Sequence, residues 1–304
     1  EDAIAVVLNR TRDGQEWFTS TAELQLTSLQ LCTLCRSMCA LQLTVTLCTP
    51  TRLWDDESRT TRLSKRMGYT RVPLFHPHRL IWDVSPFLMQ LGFFLLGKAD
   101  CLVFVDSFNG RVDHVTWPRR LTKLIFGNEF DYSVRRVVWP STLRELTFGW
   151  CFNQPITGVK WPPKLRHLEF VGHFNQPIHE VRWPAKLDEL RFGWHFNQSL
   201  YGVRWSSSLL KITFGYVFNQ PITGVRWPAS LLQLTFGNCF NQSIDRATWP
   251  QSLEQLTFGW HFNHPIHHTI WPESLLELTF GAVFNWPIDR VKWPSRLRVV
   301  TFGE

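Results

Sequence analysis

No stretch of this 304-residue chain is long and apolar enough to cross a bilayer: the longest apolar run, Pro86 to Gly97, is about 12 residues, where a membrane helix needs about 20. No basic start followed by an apolar block opens the sequence. Glu1 to Gln30 carry acids and arginines from the outset, so no secretory leader is expected there and no membrane partner either. The chain also lacks a P-loop, G-x-G-x-x-G, H-E-x-x-H, G-x-S-x-G and the H-R-D or D-F-G pair. The nucleotide-binding, zinc-protease, serine-hydrolase and kinase classes are left without support. Its seven cysteines, Cys32, Cys35, Cys39, Cys48, Cys101, Cys151 and Cys239, are odd in number and have no pairing pattern. That points to free thiols in a reducing, cytoplasmic compartment.

What is present is enough to fold. With 44% hydrophobic residues the chain can bury a substantial core, which excludes disorder along its whole length. The net charge of +7 is uneven, because residues 104–304 hold 21 Lys and Arg against 15 Asp and Glu. The surplus belongs to that part and favours acidic partners only mildly.

The deciding feature is self-similarity. Phe126, Phe148, Phe170, Phe192, Phe214, Phe236, Phe258, Phe280 and Phe302 lie 22 residues apart, and Phe104 extends the series backwards. Trp117, Trp139, Trp161, Trp183, Trp205, Trp227, Trp249, Trp271 and Trp293 keep the same interval without an insertion. In the unit that starts at Leu165, Leu168-Glu169-Phe170 and Val181-Arg182-Trp183 both alternate inward and outward. This predicts two short strands per coil, each paired in parallel with its equivalents above and below. Trp-Pro is expected to turn the chain and the Gly of Phe-Gly to permit a tight corner. The Asn column (Asn109, Asn153, Asn175, Asn197, Asn219, Asn241, Asn263 and Asn285, with Asp131 once) is expected to be a buried structural ladder. Burial there argues against glycosylation at the Asn197 and Asn241 sequons.

Phe152-Asn153-Gln154-Pro155-Ile156, Phe174-Asn175-Gln176-Pro177-Ile178 and Phe218-Asn219-Gln220-Pro221-Ile222, each followed by Trp-Pro and Leu-x-x-Leu-x-Phe, resemble FNIP repeats, a branch of the leucine-rich-repeat group. The resemblance covers about two thirds of the chain. Ser199 and Ser243 replace the Pro, Ser206 replaces the Pro after Trp205, and Val171 displaces the Gly by one. The resemblance implies a curved leucine-rich-repeat-like solenoid used for protein contacts, sometimes joined to F-box or kinase domains; residues 1–103 do not resemble an F-box.

The fold does not dictate positions that change from coil to coil, so these are the candidates for recognition. Before the Phe of each corner stand Trp150, His173, Trp194, His195, Tyr216, Trp260 and His261. They are either interface anchors or rings folded back over the corner. A second column, Lys160, Arg182, Arg204 and Arg226, with Lys292 further on, points outward before the Trp. It suits an acidic polymer, nucleic acid or anionic glycan, or it is an ordinary solvated face that guards against aggregation. The outward threonines Thr147, Thr213, Thr235, Thr257, Thr279 and Thr301 are what a strand surface prefers.

Residues 1–81 form an irregular region, 82–103 a degenerate capping coil and 104–304 the repeat array. Leucines near helical spacing predict a helix over Leu24 to Leu47. Cys32, Cys35 and Cys39 invite a metal reading, but the segment reads as an apolar helix in which Cys is a small hydrophobe, and no metal or cofactor is expected. His261, His264, His267 and His268 crowd one corner without a nucleophile or carboxylate pair, so no catalytic residue is assigned. The whole reads as a right-handed, β-rich, leucine-rich-repeat-like solenoid of 22-residue parallel coils with an irregular, partly helical amino-terminal cap. Its expected role is a non-enzymatic scaffold for a protein partner. The stretch Leu297 to Phe302 has no closing coil after it, so its apolar edge is expected to drive self-association.

Overall fold

The structure is a computed structural model that describes residues 100–104 and 106–303, together with the backbone of three strands further upstream. Those strands are β1 (Ala5–Arg10), β2 (Leu43–Cys48) and β3 (Arg79–Trp82). The array supplies β4 (Cys101–Phe104), β5 (Lys123–Ile125), β6 (Glu145–Phe148), β7 (His167–Phe170) and β8 (Glu189–Arg191). It continues with β9 (Lys211–Thr213), β10 (Gln233–Thr235), β11 (Gln255–Thr257), β12 (Glu277–Thr279) and β13 (Val299–Thr301). Strands β3 to β13 form one sheet of 11 strands in sequence order, parallel throughout, with each residue paired to the one 22 positions away.

The strands of this sheet are three or four residues long, and in them inward Leu and Phe alternate with outward residues. Leu168 and Phe170 are buried while His167 is exposed. Burying such a side chain stabilises by about 1.5–3 kcal/mol, available only once the next coil covers it. Within a coil the two Phe rings stack, as Phe192 on Phe196 at 4.0 Å; between coils Phe174, Phe196 and Phe218 pile at 6.1 and 6.2 Å. The Trp residues form a second file, with Trp183 to Trp205 at 6.2 Å and Trp205 to Trp227 at 6.1 Å.

The second strand expected from the sequence does not form. Val181-Arg182-Trp183 is irregular, bounded by turns in which Val181 N–H donates to Ile178 O and Leu187 N–H to Pro184 O. The in–out alternation survives, with Val181 buried and Arg182 exposed, because any extended backbone produces it. The backbone there is spent on turns within its own coil rather than on the neighbouring coil.

Two further expectations about the array change. The Phe-Gly glycines serve close approach rather than a left-handed corner: a Cβ on Gly193 would lie 2.5 Å from Val171 C and 2.6 Å from Phe170 O. The left-handed glycines are Gly158, Gly202 and Gly224, at φ 81°, 76° and 77° in the turn before the Val. The Asn ladder exists, but it is half-buried to exposed and links coils instead of closing turns. Asn175 N–H donates to Asn153 Oδ1 at 2.9 Å, Asn197 N–H to Asn175 Oδ1 at 3.0 Å and Asn219 N–H to Asn197 Oδ1 at 2.9 Å. Gln176 and Gln198 add amide bonds to the same acceptors at 3.1 and 3.0 Å. A hydroxyl ladder runs beside it: Ser230, Ser252 and Ser274 each donate to a Leu carbonyl of the preceding coil at 2.7 Å.

Upstream, Leu43–Cys48 is a strand antiparallel to Ala5–Arg10, not the end of a helix, since Val, Thr and Leu alternate there at the strand period. The sheet also takes in Arg79–Trp82, ahead of the unit expected to begin at residue 82. The rest of the expected helix, Cys32, Cys35 and Cys39, and residues 83–99 of the expected cap lie outside the described residues. At the far end the last coil is less covered than its predecessors: Phe302 is 41% exposed, where Phe280 is 1% exposed.

Candidate interaction surfaces

The polar residues on the sheet face pair with one another. Lys123 Nζ meets Glu145 at 2.6 Å, Arg166 meets Asp188 at 2.8 Å and Arg191 meets Glu189 at 2.6 Å. Lys211 and His167 lie 3.6 and 3.2 Å from Glu189. Burial pushes the Glu189 carboxyl up, but the hydrogen bond and charge of Arg191, with Lys211 and His167, outweigh it and hold the group below its ordinary 4.5. A lowered folded-state value means that stability is present above the unfolded value and is lost as pH falls through the folded one. The Glu189→Gln variant should therefore lose less melting temperature than the parent between neutral pH and about pH 3. Identical declines in the two proteins would refute the assignment.

The corner residues gather where the repeat is irregular. Val171 occupies the position of the usual Gly, and its N–H donates to Phe148 O at 3.1 Å, prolonging the β6–β7 pairing to Phe148 and Phe170. The coils part locally: Phe170 and Phe192 are 6.3 Å apart, against 5.5 Å for Phe148–Phe170 and for Phe192–Phe214. Gly172 then falls against Trp150, where any Cβ would press on the Trp150 carbonyl oxygen and lie 2.7 Å from both its Cα and its Cδ2. Trp150 leans across the coil. Its Nε1 donates to His173 Nε2 at 3.0 Å, and its ring lies 6.3 Å from Trp194 and 6.3 Å from His195. His173 and His195 are 4.8 Å apart, and Trp194 stacks on Tyr216 at 4.3 Å with 6° between the planes.

Five sequence-predicted residues, Trp150, His173, Trp194, His195 and Tyr216, thus form one continuous surface over four coils. It remains open, with Trp194 44% exposed. Backbone bonds from His173 N–H to Trp150 O at 2.7 Å and from His195 N–H to Gly172 O at 3.1 Å fix its floor. Trp260 and His261 are exposed but stand apart, because Asn238 and Cys239 occupy the intervening corner. Lys160, Arg182, Arg204 and Arg226 are exposed on the return segment of the coil. The sequence singled out the columns but not Gly172, whose displacement by Val171 was the available signal.

Among the described residues, no group of three His, Cys, Asp or Glu is placed to hold a metal ion, and no helix is long and apolar enough to cross a membrane.

Comparison with known proteins supplies a relationship. Residues 108–151, 152–195, 218–261 and 240–282 each match the family profile of the FNIP Repeat. A solved structure described as the crystal structure of CroV588, a novel circular LRR protein structure, is 40% identical over 68% of this chain, with a TM-score of 0.61. The matched region spans 34% of that protein's length, about a third. No curated protein matches. The matched profiles, the parallel coils and the phase of the Asn ladder agree, and the chain belongs to the FNIP repeat family.

Proposed function

We propose that this solenoid is a non-enzymatic scaffold that binds a protein partner through the ring cluster at Trp150, His173, Trp194, His195 and Tyr216. The observation that carries the reading is an open, continuous set of aromatic rings at positions the fold leaves free. Large, rigid rings with a polar edge are what protein interfaces concentrate at their centres. The rigid sheet beneath holds them without further ordering, which lowers the entropic cost of association. A leucine-rich-repeat-like array used for contacts is consistent with the reading.

The test is affinity capture with the 304-residue chain and with a Trp150→Ala/Trp194→Ala/Tyr216→Ala variant of unchanged fold. Truncating central aromatic anchors should weaken the captured complex by about 2 kcal/mol or more, roughly 30-fold. Equal recovery of the same partners by both proteins would overturn the proposal.

A further inference from the structure

The sheet face balances its charges; the return face does not. On the four-residue turns before each Trp, from Arg135 to Arg226, six cations (Arg135, Arg136, Lys160, Arg182, Arg204 and Arg226) face one carboxylate, Glu180. Glu180 is 3.8 Å from His179, whereas Lys160, Arg182, Arg204 and Arg226 make neither an ion pair nor a side-chain hydrogen bond among the described residues. The positive surplus of the array is therefore concentrated on one side of the coil, the distribution expected of a polyanion binder.

The surface between these cations is grooved. Gly158, Gly202 and Gly224 carry no side chain at the crest of the turn, and around Gly202 and Gly224 a Cβ would meet nothing within 4 Å. One groove of about 510 Å³ is lined by His179, Arg182, Arg204 and Ser206. Another, of about 650 Å³, is lined by Tyr132, Arg135, Arg136 and Gly158. Both place an exposed tyrosine close at hand: Tyr132 is 41% exposed, and Tyr201, beside Gly202, is 76% exposed. The face repeats once per coil, with the Trp205 and Trp227 rings behind it 6.1 Å apart, so it presents one cation per coil from Lys160 to Arg226.

We propose that this return face binds single-stranded nucleic acid, with Lys160, Arg182, Arg204 and Arg226 on successive phosphates and Tyr201 stacking on a base. A row of cations with an exposed aromatic ring beside it combines the two contacts, to phosphate and to base face, by which proteins hold single strands without reading sequence. A densely sulfated glycan would be held mainly through its charges, so dependence on Tyr201 separates the two ligands. The face is separate from the ring cluster, so this inference and the proposed protein interface stand or fall independently.

The experiment is fluorescence anisotropy of a labelled oligouridylate of about 20 nucleotides with the full chain, titrated from about 50 to 200 mM salt. Four phosphate contacts predict a log–log salt slope near −3, which is about 50-fold weaker binding across that range. The Lys160→Gln/Arg182→Gln/Arg204→Gln/Arg226→Gln variant should abolish most of that slope and bind more than tenfold more weakly at low salt. A Lys123→Gln/Arg166→Gln variant on the sheet should bind as the parent does. Should the quadruple variant not fold, Arg182→Gln and Arg204→Gln made singly should each reduce the slope by about 0.7. Tyr201→Ala should weaken oligonucleotide binding while leaving heparin binding unchanged. The proposal is overturned if the parent does not bind at low salt, if the Gln variants keep its slope, or if Tyr201→Ala is without effect. In the last case heparin binding lost with the cations assigns the face to an anionic glycan.

Discussion

Replacing Phe196 by Ala is expected to destabilise the array by about 3–5 kcal/mol, the usual cost of deleting a fully buried aromatic side chain. Phe196 has no exposed surface, stacks on Phe192 at 4.0 Å and sits between Phe174 and Phe218 at 6.1 and 6.2 Å. Its neighbours cannot close the gap, because each is held at its own coil by the same ladder of backbone bonds. Chemical denaturation should show a lower midpoint. It should also show a split transition, since in a linear array a defect weakens one interface and uncouples the segments on either side. A single transition with an unchanged midpoint would contradict the packing described.

The second large effect is expected at Gly215. A Cβ there would press on the carbonyl of Gly193 in the preceding coil and lie 2.9 Å from Trp194 N, all backbone, so nothing can swing aside. The Gly215→Val variant should lose about 3 kcal/mol, the upper part of the range for overpacking, and should disturb the neighbouring Trp194–Tyr216 stack. Gly224→Ala is the matched control. Its surroundings are empty, and its φ of 77° costs an L-residue only about 1–2 kcal/mol. If the two substitutions cost the same when measured by thermal unfolding, the distinction between coil contact and turn geometry fails.

The period, the parallel stacking and the Trp file were legible in the sequence because each is a fixed spacing of one residue type, and nothing in the array interrupts the count. Other features were not, for reasons of geometry. Val-x-Trp alternates like a strand, yet its backbone is spent on turns within its own coil rather than on the neighbouring coil, which alternation does not reveal. The Asn column was read as a ladder, but its partners lie in the next coil, 22 residues away, and not in its own turn. The recognition columns were visible as non-conforming positions. Which of them meet was not visible: Trp150 reaches Trp194 across a bare Gly172, while Trp260 is separated by Asn238 and Cys239. On the return face, the free cations became distinct from the paired ones only when the sheet-side partners could be assigned.

The amide and hydroxyl ladders have a consequence for how such a molecule changes over generations. Every unit offers its successor the same acceptors that it borrows from its predecessor, as Asn153, Asn175 and Asn197 do. A cassette of 22 residues can therefore be duplicated or lost by unequal exchange without any junction needing repair, while a gain or loss of one residue misaligns the rungs that its own unit makes with its neighbours.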